Sequence, residues 1–391
     1  MKELELYLHI PFCRKKCRYC DFVSFAGCEE MTDAYVDAVC REIQTAAGYY
    51  HDRKVVSVYI GGGTPSILNC GQIERLMECL MSSFRVTGFR AKRRGLYLQK
   101  KSLPEVEISI ECNPESITPE KLKLYRRLGI NRLSIGLQST DDNDLKMLGR
   151  VHDFHTFAAA FEAARTAGFS NINIDLMQAI PGQTLSAWKK VLFLAGTFHP
   201  EHISAYSLMI EEGTVFEQLY QEGRLDLPDE DTEREIYYYT RDFLEKAGYR
   251  RYEISNYSLP GYECRHNSGY WTRTDYLGLG LHASSMIDNV RWKNTDDLPK
   301  YIAGADIEER EVLSREEQME EFMFLGLRLT DGVSRKRFFE LFKQDLDHTF
   351  EGVIPKLRSE GLILSEGDQI RLTDRGLDVS NAVLAEFLLT S

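Results

Sequence analysis

Cys13, Cys17 and Cys20 stand in the run YLHIPFCRKKCRYCDF as C-x3-C-x2-C, three sulfurs within eight residues. Thiolates are ligands for iron–sulfur clusters and for zinc. A structural zinc site takes four protein ligands, usually as two separated pairs, and no second Cys/His pair at matching spacing accompanies this loop. Three thiolates hold three irons of a four-iron cluster and leave the fourth open to a small chelating ligand. The other cysteines, among them Cys40, Cys70, Cys79, Cys112 and Cys264, are scattered, so three together are not read as an accident. An odd total of nine, without regular pairing, argues against a disulfide framework and fits a reducing compartment.

Something must position that loop. Short β-rich runs at Leu4–Ile10, Val55–Ile60, Val106–Ile110, Arg132–Gly136, Asn171–Leu176 and His202–Ser207 alternate with helical patterns at Thr32–Ala47, Gln72–Ser82, Thr118–Leu128, Thr156–Ala167 and Leu185–Leu194. That is the order of βα units around a parallel sheet, either doubly wound and open or a partial barrel. Each strand is followed by residues that packing does not ask for: the cysteine loop, GGGTPS from Gly61 to Ser66, Glu111–Pro114, Gln138, Asp175, and Ala205–Tyr206. Barrels build their chemistry from loops at that one face, so an α/β fold with a partial (β/α)6 TIM-type barrel is expected.

After about Gly304 the pattern changes to an acidic helical segment, helices at Ser334–Lys343 and Phe350–Glu360, and the hairpin LILSEGDQIRLT. This reads as a smaller winged-helix-like α+β domain. The expected division is 1–210 for the barrel core, 211–304 for a region that closes the barrel, and 305–391 for the small domain. From Arg315 to Ser391 ten Lys/Arg face fifteen Asp/Glu, a net of −5, and the whole chain carries −12, so no nucleic-acid partner is expected. The basic run 85–101 reads as a solvated surface insertion. The N-terminal MKELELYLHIPFC has no basic region leading into a long apolar stretch, and no later run approaches membrane-span length. A cytoplasmic protein, at most peripheral to a membrane, is expected.

The C-x3-C-x2-C loop after the first strand resembles the signature of radical S-adenosylmethionine (SAM) proteins. The YLHIPFC before it resembles the branch that contains oxygen-independent coproporphyrinogen III dehydrogenases and heme chaperones. The resemblance implies a [4Fe–4S] cluster on Cys13, Cys17 and Cys20, with SAM on the open iron, where an electron cleaves it to methionine and a 5′-deoxyadenosyl radical. It implies SAM contacts from Tyr7, from Gly61, Gly62, Gly63 and Thr64, and from Glu111, Gln138, Arg150, Asp175 and Ala205. Their chemistry is apt, since carboxylates accept from an ammonium or a ribose hydroxyl and Arg pairs with a carboxylate.

Two features separate enzyme from chaperone. The dehydrogenases have a further cysteine two residues beyond the third ligand, whereas here Cys20–Asp21 is followed by Phe22. The run HNSGYW resembles the H-N-x-x-Y-W motif of the heme chaperones. That resemblance implies heme contact, with His266 as candidate axial ligand and Tyr270 and Trp271 as flat faces; Cys264 is an alternative ligand. The same residues could instead close the open edge of the barrel. Downstream of DYLGLG, Leu281–His282–Ala283 departs from the family's usual order. The expected function is heme binding and transfer to an apo-hemoprotein such as a membrane-bound respiratory cytochrome, with coproporphyrinogen III oxidation as the alternative.

Overall fold

The computed structural model describes residues 2–86, 106–304 and 307–389, so the basic run beyond residue 86 lies outside the described residues. Six strands are laid down in sequence: β1 (Glu3–Ile10), β2 (Lys54–Gly62), β3 (Glu107–Cys112), β4 (Arg132–Gln138), β5 (Ile172–Gln178) and β6 (His202–Ser207). Each pairs in parallel with the next. A doubly wound sheet would reverse its strand order at a switch point; this one runs one to six without reversal. The barrel is partial because its two edges continue outward instead of meeting. Beyond β6 lie two short antiparallel strands, β7 (Arg250–Arg251) and β8 (Asn256–Ser258). Beyond β1 lies β9 (Tyr276–Leu279), parallel to it, followed by antiparallel β10 (Ser284–Ile287), β11 (Val290–Asn294) and β12 (Ile307–Val312), which makes a sheet of twelve strands among the described residues.

The period of two along each strand sorts the residues between two environments. In β1, Leu4, Leu6, Leu8 and Ile10 are fully buried in the apolar core beneath helices such as Thr32–Tyr50 and Cys70–Ser83. Glu5, Tyr7 and His9 point the other way, into the barrel. The same inward row supplies Ser57, Tyr59, Glu107, Ser109, Glu111, Arg132, Ser134, Asn173, Asp175, His202 and Ser204, so the interior is polar while the outer layer is aliphatic. Burying polar groups is costly unless they are paired, and several of these are: Asn173 donates to Ser134 Oγ (2.7 Å) and Asp175 (2.7 Å), while His202 bonds Asn173 (2.6 Å) and Tyr252 (2.9 Å); Ser109 Oγ has no partner among the described residues. The surrounding helices begin where the sequence supplies caps: Asn69, Thr118, Asp153 and Thr184 each accept from the backbone N–H three residues on, worth about 1 kcal/mol apiece.

The C-terminal region has its own core, built on Met319, Met323, Phe338, Phe342, Phe350 and Phe387. Its three-stranded antiparallel sheet orders Val333–Ser334, Gln369–Leu372 and Ile363–Glu366. It docks on the barrel through Arg273 and Arg291, both paired with Glu321, and through a Glu253–Leu329 bridge. One expectation needs correction: the segment after Gly304 opens with strand β12 before its first helix, Arg315–Gly326. HNSGYW lies in a short helix, Arg265–Trp271. No helix among the described residues is long and apolar enough to cross a membrane.

Candidate functional site

The cysteine loop is fastened from several sides. Phe12–Cys13 pairs with Phe25–Ala26; Arg18 N donates to Leu148 O (3.1 Å), and Phe216 N donates to Arg18 O (3.0 Å). Phe216 belongs with Leu148 and Ile180 to a small apolar cluster against which Tyr19 packs, so the segment after β6 braces the loop from outside. On the inner side a chain of polar contacts joins two of the sulfurs. Thr64 Oγ1 donates to Cys13 Sγ (3.4 Å), Asn113 Nδ2 donates to Thr64 Oγ1 (3.0 Å), Arg150 Nη2 donates to Asn113 Oδ1 (2.7 Å), and Arg150 Nη1 donates to Cys17 Sγ (3.6 Å). Donors aimed at sulfur stabilise the thiolate, the form that binds iron. Burial pushes the Cys20 thiol up to about 11, so loading with iron has to displace a proton there. Among the described residues no three His, Cys, Asp or Glu side chains converge on one metal-ion position. A four-iron cluster does not require that, since each thiolate meets its own iron.

The strand ends next to the loop leave room where a ligand would lie. A side chain at Gly63 would place its Cβ 2.9 Å from Cys13 Sγ and from Phe12 O, closer than any Cβ sits, so only glycine lets this backbone run beside the sulfur. Gly61 faces Tyr7 and Glu111. Glu111 accepts from Tyr59 Oη (2.8 Å) and from Gly62 N (3.0 Å); burial, opposed by the Tyr59 hydrogen bond and reinforced by Asp175, pushes its carboxyl up to about 7. Asp175 accepts from Ser134 Oγ (3.0 Å) and Asn173 Nδ2 (2.7 Å). Gln138 has φ +70 at an irregularity where β4 shifts register against β5, which turns its side chain back toward Gly136 and Arg150. Arg150 Nη2 also donates to Gly136 O (3.0 Å), while its Nε is buried without a partner among the described residues, a donor left over for an anionic group.

Tyr7, Gly61–Thr64, Glu111, Gln138, Arg150 and Asp175 therefore gather at one end of the barrel beside the three cysteines. Ala205 does not. The register sets Asp175 beside Ser204, so Ser204 and Tyr206 face inward and the Ala205 side chain lies in the outer core. One residue along a strand reverses the face. Asn113 falls inside the strand end Glu111–Pro114 that the sequence marks, but nothing in the sequence shows its link between Thr64 and Arg150; Phe216 has no local mark at all, being one apolar residue in a long connection.

HNSGYW is also placed differently from expectation. His266 is 1% exposed, with Nδ1 against Ser57 Oγ (2.9 Å) and Nε2 against Tyr270 Oη (3.0 Å). Its ring stacks on Tyr59 at 5.1 Å and on Tyr7 at 6.3 Å. Burial, followed by the nearby Arg132, pushes the imidazole down to about 3, so it is neutral. Both nitrogens are committed, and the ring does not offer a lone pair to an incoming iron. Gly269 lets the helix lie on Glu5, whose carboxylate would be 2.2 Å from a Cβ there. Trp271 turns away toward the C-terminal domain, with the Arg328 guanidinium 4.6 Å over its ring. Cys264 is fully buried against Glu107, its thiol pushed up to about 12 by that burial, and is no more available. Tyr270 is the residue of the motif that meets a cleft. It lines a cleft of about 360 Å³ at the mouth of the barrel together with Tyr7, Phe22, Tyr276 and His282.

A partial six-stranded α/β barrel that carries a C-x3-C-x2-C loop at the C-terminal end of its first strand is the architecture of a radical SAM protein. The family model of the Radical SAM superfamily matches residues 7–195, and that of the HemN C-terminal domain matches residues 313–379. Membership of the superfamily implies a [4Fe–4S] cluster and SAM. Heme chaperone HemW of Bacillus subtilis is 37% identical over 98% of both chains, and HemW of Lactococcus lactis is 36% identical over 98% of this chain and 97% of its own. HemW of Escherichia coli is 31% identical, again over 98% of each. Among solved structures, coproporphyrinogen III oxidase (HemN) from Escherichia coli, a radical SAM enzyme, superposes with a TM-score of 0.84 at 25% identity, covering 99% of this chain and 90% of that one. The chain belongs to the HemW family of radical SAM proteins.

Proposed function

We propose that this chain is a heme chaperone, which takes up heme at the mouth of the barrel and passes it to an apo-hemoprotein, membrane-bound cytochromes included. The observation that carries this reading is similarity to heme chaperones along nearly the whole chain, at 36–37% identity. In this reading residues 1–210 hold the cluster and SAM, 211–304 close the barrel and form one wall of the heme cleft, and 305–391 form a covering domain.

Cys13, Cys17 and Cys20 hold the cluster, with Thr64 and Arg150 donating to two of the sulfurs. Tyr7, Gly61–Thr64, Glu111, Gln138, Arg150 and Asp175 receive SAM: Arg150 offers its spare N–H to a carboxylate, while Glu111 and Asp175 accept from ammonium and ribose hydroxyls. When bound, the cluster and SAM supply one-electron chemistry. Glu111, near 7, can hold or release a proton at the SAM amino group. The stacked rings of Tyr7, Tyr59 and His266 form a wall between SAM and the barrel's lower layer.

The oxidase reading is favoured by the HemN superposition. Against it stands position 22, where a phenylalanine that is 56% exposed lies beside the cysteines and brings no sulfur. The two are separated by one preparation. Full-length chain with anaerobically reconstituted cluster is titrated with hemin and then given coproporphyrinogen III, SAM and reductant. Stoichiometric hemin uptake without turnover supports the chaperone, and turnover without hemin uptake overturns it.

A further inference from the structure

His9, His266 and His282 lie around the first strand of the barrel, and the structure distinguishes them by what their nitrogens already do. His9 is spoken for, with Nδ1 against Tyr7 Oη (3.0 Å) and Nε2 against Val23 O (3.1 Å). His266 is buried and bonded at both nitrogens. His282 alone lines the cleft with a ring whose nitrogens have no hydrogen-bond partner among the described residues.

Its backbone is held in an unusual way. His282 has φ +57, the left-handed region that a non-glycine side chain seldom adopts, and its N–H donates to Thr295 O (2.9 Å). The turn is tied further by Asn294 N to Ala283 O (3.0 Å). Seven other non-glycine residues among those described share a positive φ, so the conformation does not itself mark a site; with the backbone fastened in this way, it fixes where the ring meets the cleft. Flat or apolar side chains line the same cleft, Tyr7, Tyr270, Tyr276 and the exposed Phe22, together with the polar Asp21 and Ser284. Burial, then Lys293, holds the imidazole below its ordinary range, which keeps its lone pair free at neutral pH.

We infer that His282 is the axial ligand to heme iron in this chain, and that the cleft between Phe22 and Tyr270–Tyr276 holds one edge of the porphyrin. The inference rests on the chaperone reading above and deepens it by naming the ligand. A cleft of about 360 Å³ encloses part of a porphyrin and leaves the rest at the surface. A single imidazole on a half-buried turn, at a cleft that leaves part of the porphyrin at the surface, is a site from which a recipient can take the cargo. His266 is then a positioning residue, which holds the Tyr270 hydroxyl and so the cleft wall.

The test is hemin titration of the full-length chain, followed by Soret absorbance and electron paramagnetic resonance, in wild type, His282→Gly and His266→Ala. Glycine suits a left-handed φ without strain, so His282→Gly removes the imidazole while favouring the native turn. The expected result is a change of ferric spin state and a fall in affinity on the order of tenfold, 1.4 kcal/mol, in His282→Gly. Added imidazole restores the wild-type spectrum, and His266→Ala keeps the wild-type ligand signature in whatever fraction folds. A His282→Gly spectrum and affinity identical to wild type overturn the assignment and leave the chaperone reading standing. A wild-type chain that takes up no hemin overturns the chaperone reading itself.

Discussion

Replacing His266 with alanine tests whether the HNSGYW motif works through structure. The imidazole fills a closed space between Tyr7, Tyr59 and Tyr270, so removal leaves a cavity that rigid rings cannot close. Truncating a large buried side chain costs about 2–5 kcal/mol. The Tyr270 hydroxyl loses its His266 partner, adding about 1–3 kcal/mol if it stays buried, while Ser57 retains Glu5 as a neighbour. The two parts overlap, since Tyr270 can turn toward the cleft, and the net expectation is a loss of about 3–4 kcal/mol. The assay is denaturant unfolding of the anaerobic full-length chain, followed by far-ultraviolet circular dichroism, with hemin titration under native conditions alongside. A loss below about 1 kcal/mol, accompanied by a changed heme ligand signature, would refute this placement and restore His266 as the ligand.

Other perturbations address neighbouring parts of the account. Glu5 is pushed up to about 9 by burial, then by Glu107 and Glu3 against the Ser57 hydrogen bond. Its folded-state pKa lies above the unfolded value near 4.5, so its contribution is full below that value and is lost as pH rises toward 9. The stability of Glu5→Gln relative to wild type should therefore improve by about 1.4 kcal/mol per pH unit between 5 and 8, measured by unfolding at several pH values; a difference independent of pH would contradict the protonated state. Asn113→Ala cuts the chain that links Thr64 to Arg150, and Arg150→Met removes the donor to Cys17. Both should lower iron retained after reconstitution, with Asn113→Ala the milder, and a full complement of iron in Arg150→Met would remove Arg150 from the sulfur's surroundings. A double-mutant cycle on Trp271 and Arg328 should give a coupling of about 0.5–2 kcal/mol in unfolding, and zero coupling would mean the motif does not fasten the C-terminal domain.

Much of the barrel was legible because its strands alternate between aliphatic and polar residues, and because Thr118, Asp153 and Thr184 cap their helices. What escaped reading lacks those marks. β9 lies in YLGLGL, where glycines imitate a loop and only pairing with β1 makes a strand. β12, IEEREV, is exposed at all six positions and owes its conformation to the edge it extends. The Arg265–Trp271 helix contains Asn, Ser and Gly, weak helix formers, and is stabilised by lying against Glu5, Tyr59 and Arg328. The cluster loop could be read because three cysteines carry their chemistry in their spacing. Which histidine is free could not be read, since that depends on partners such as Ser57 and Val23, far away in sequence.

The most direct test of the central claim is heme transfer. Full-length chain loaded with one equivalent of hemin is mixed with an apo-cytochrome of the b type, and the spectral change is followed at rising recipient concentration beside apomyoglobin as a passive scavenger. A chaperone hands over its cargo in a complex, so the rate should rise with cytochrome concentration and exceed the rate to apomyoglobin. A rate independent of the recipient and equal to spontaneous loss would mean that this chain only binds heme, and would contradict the account.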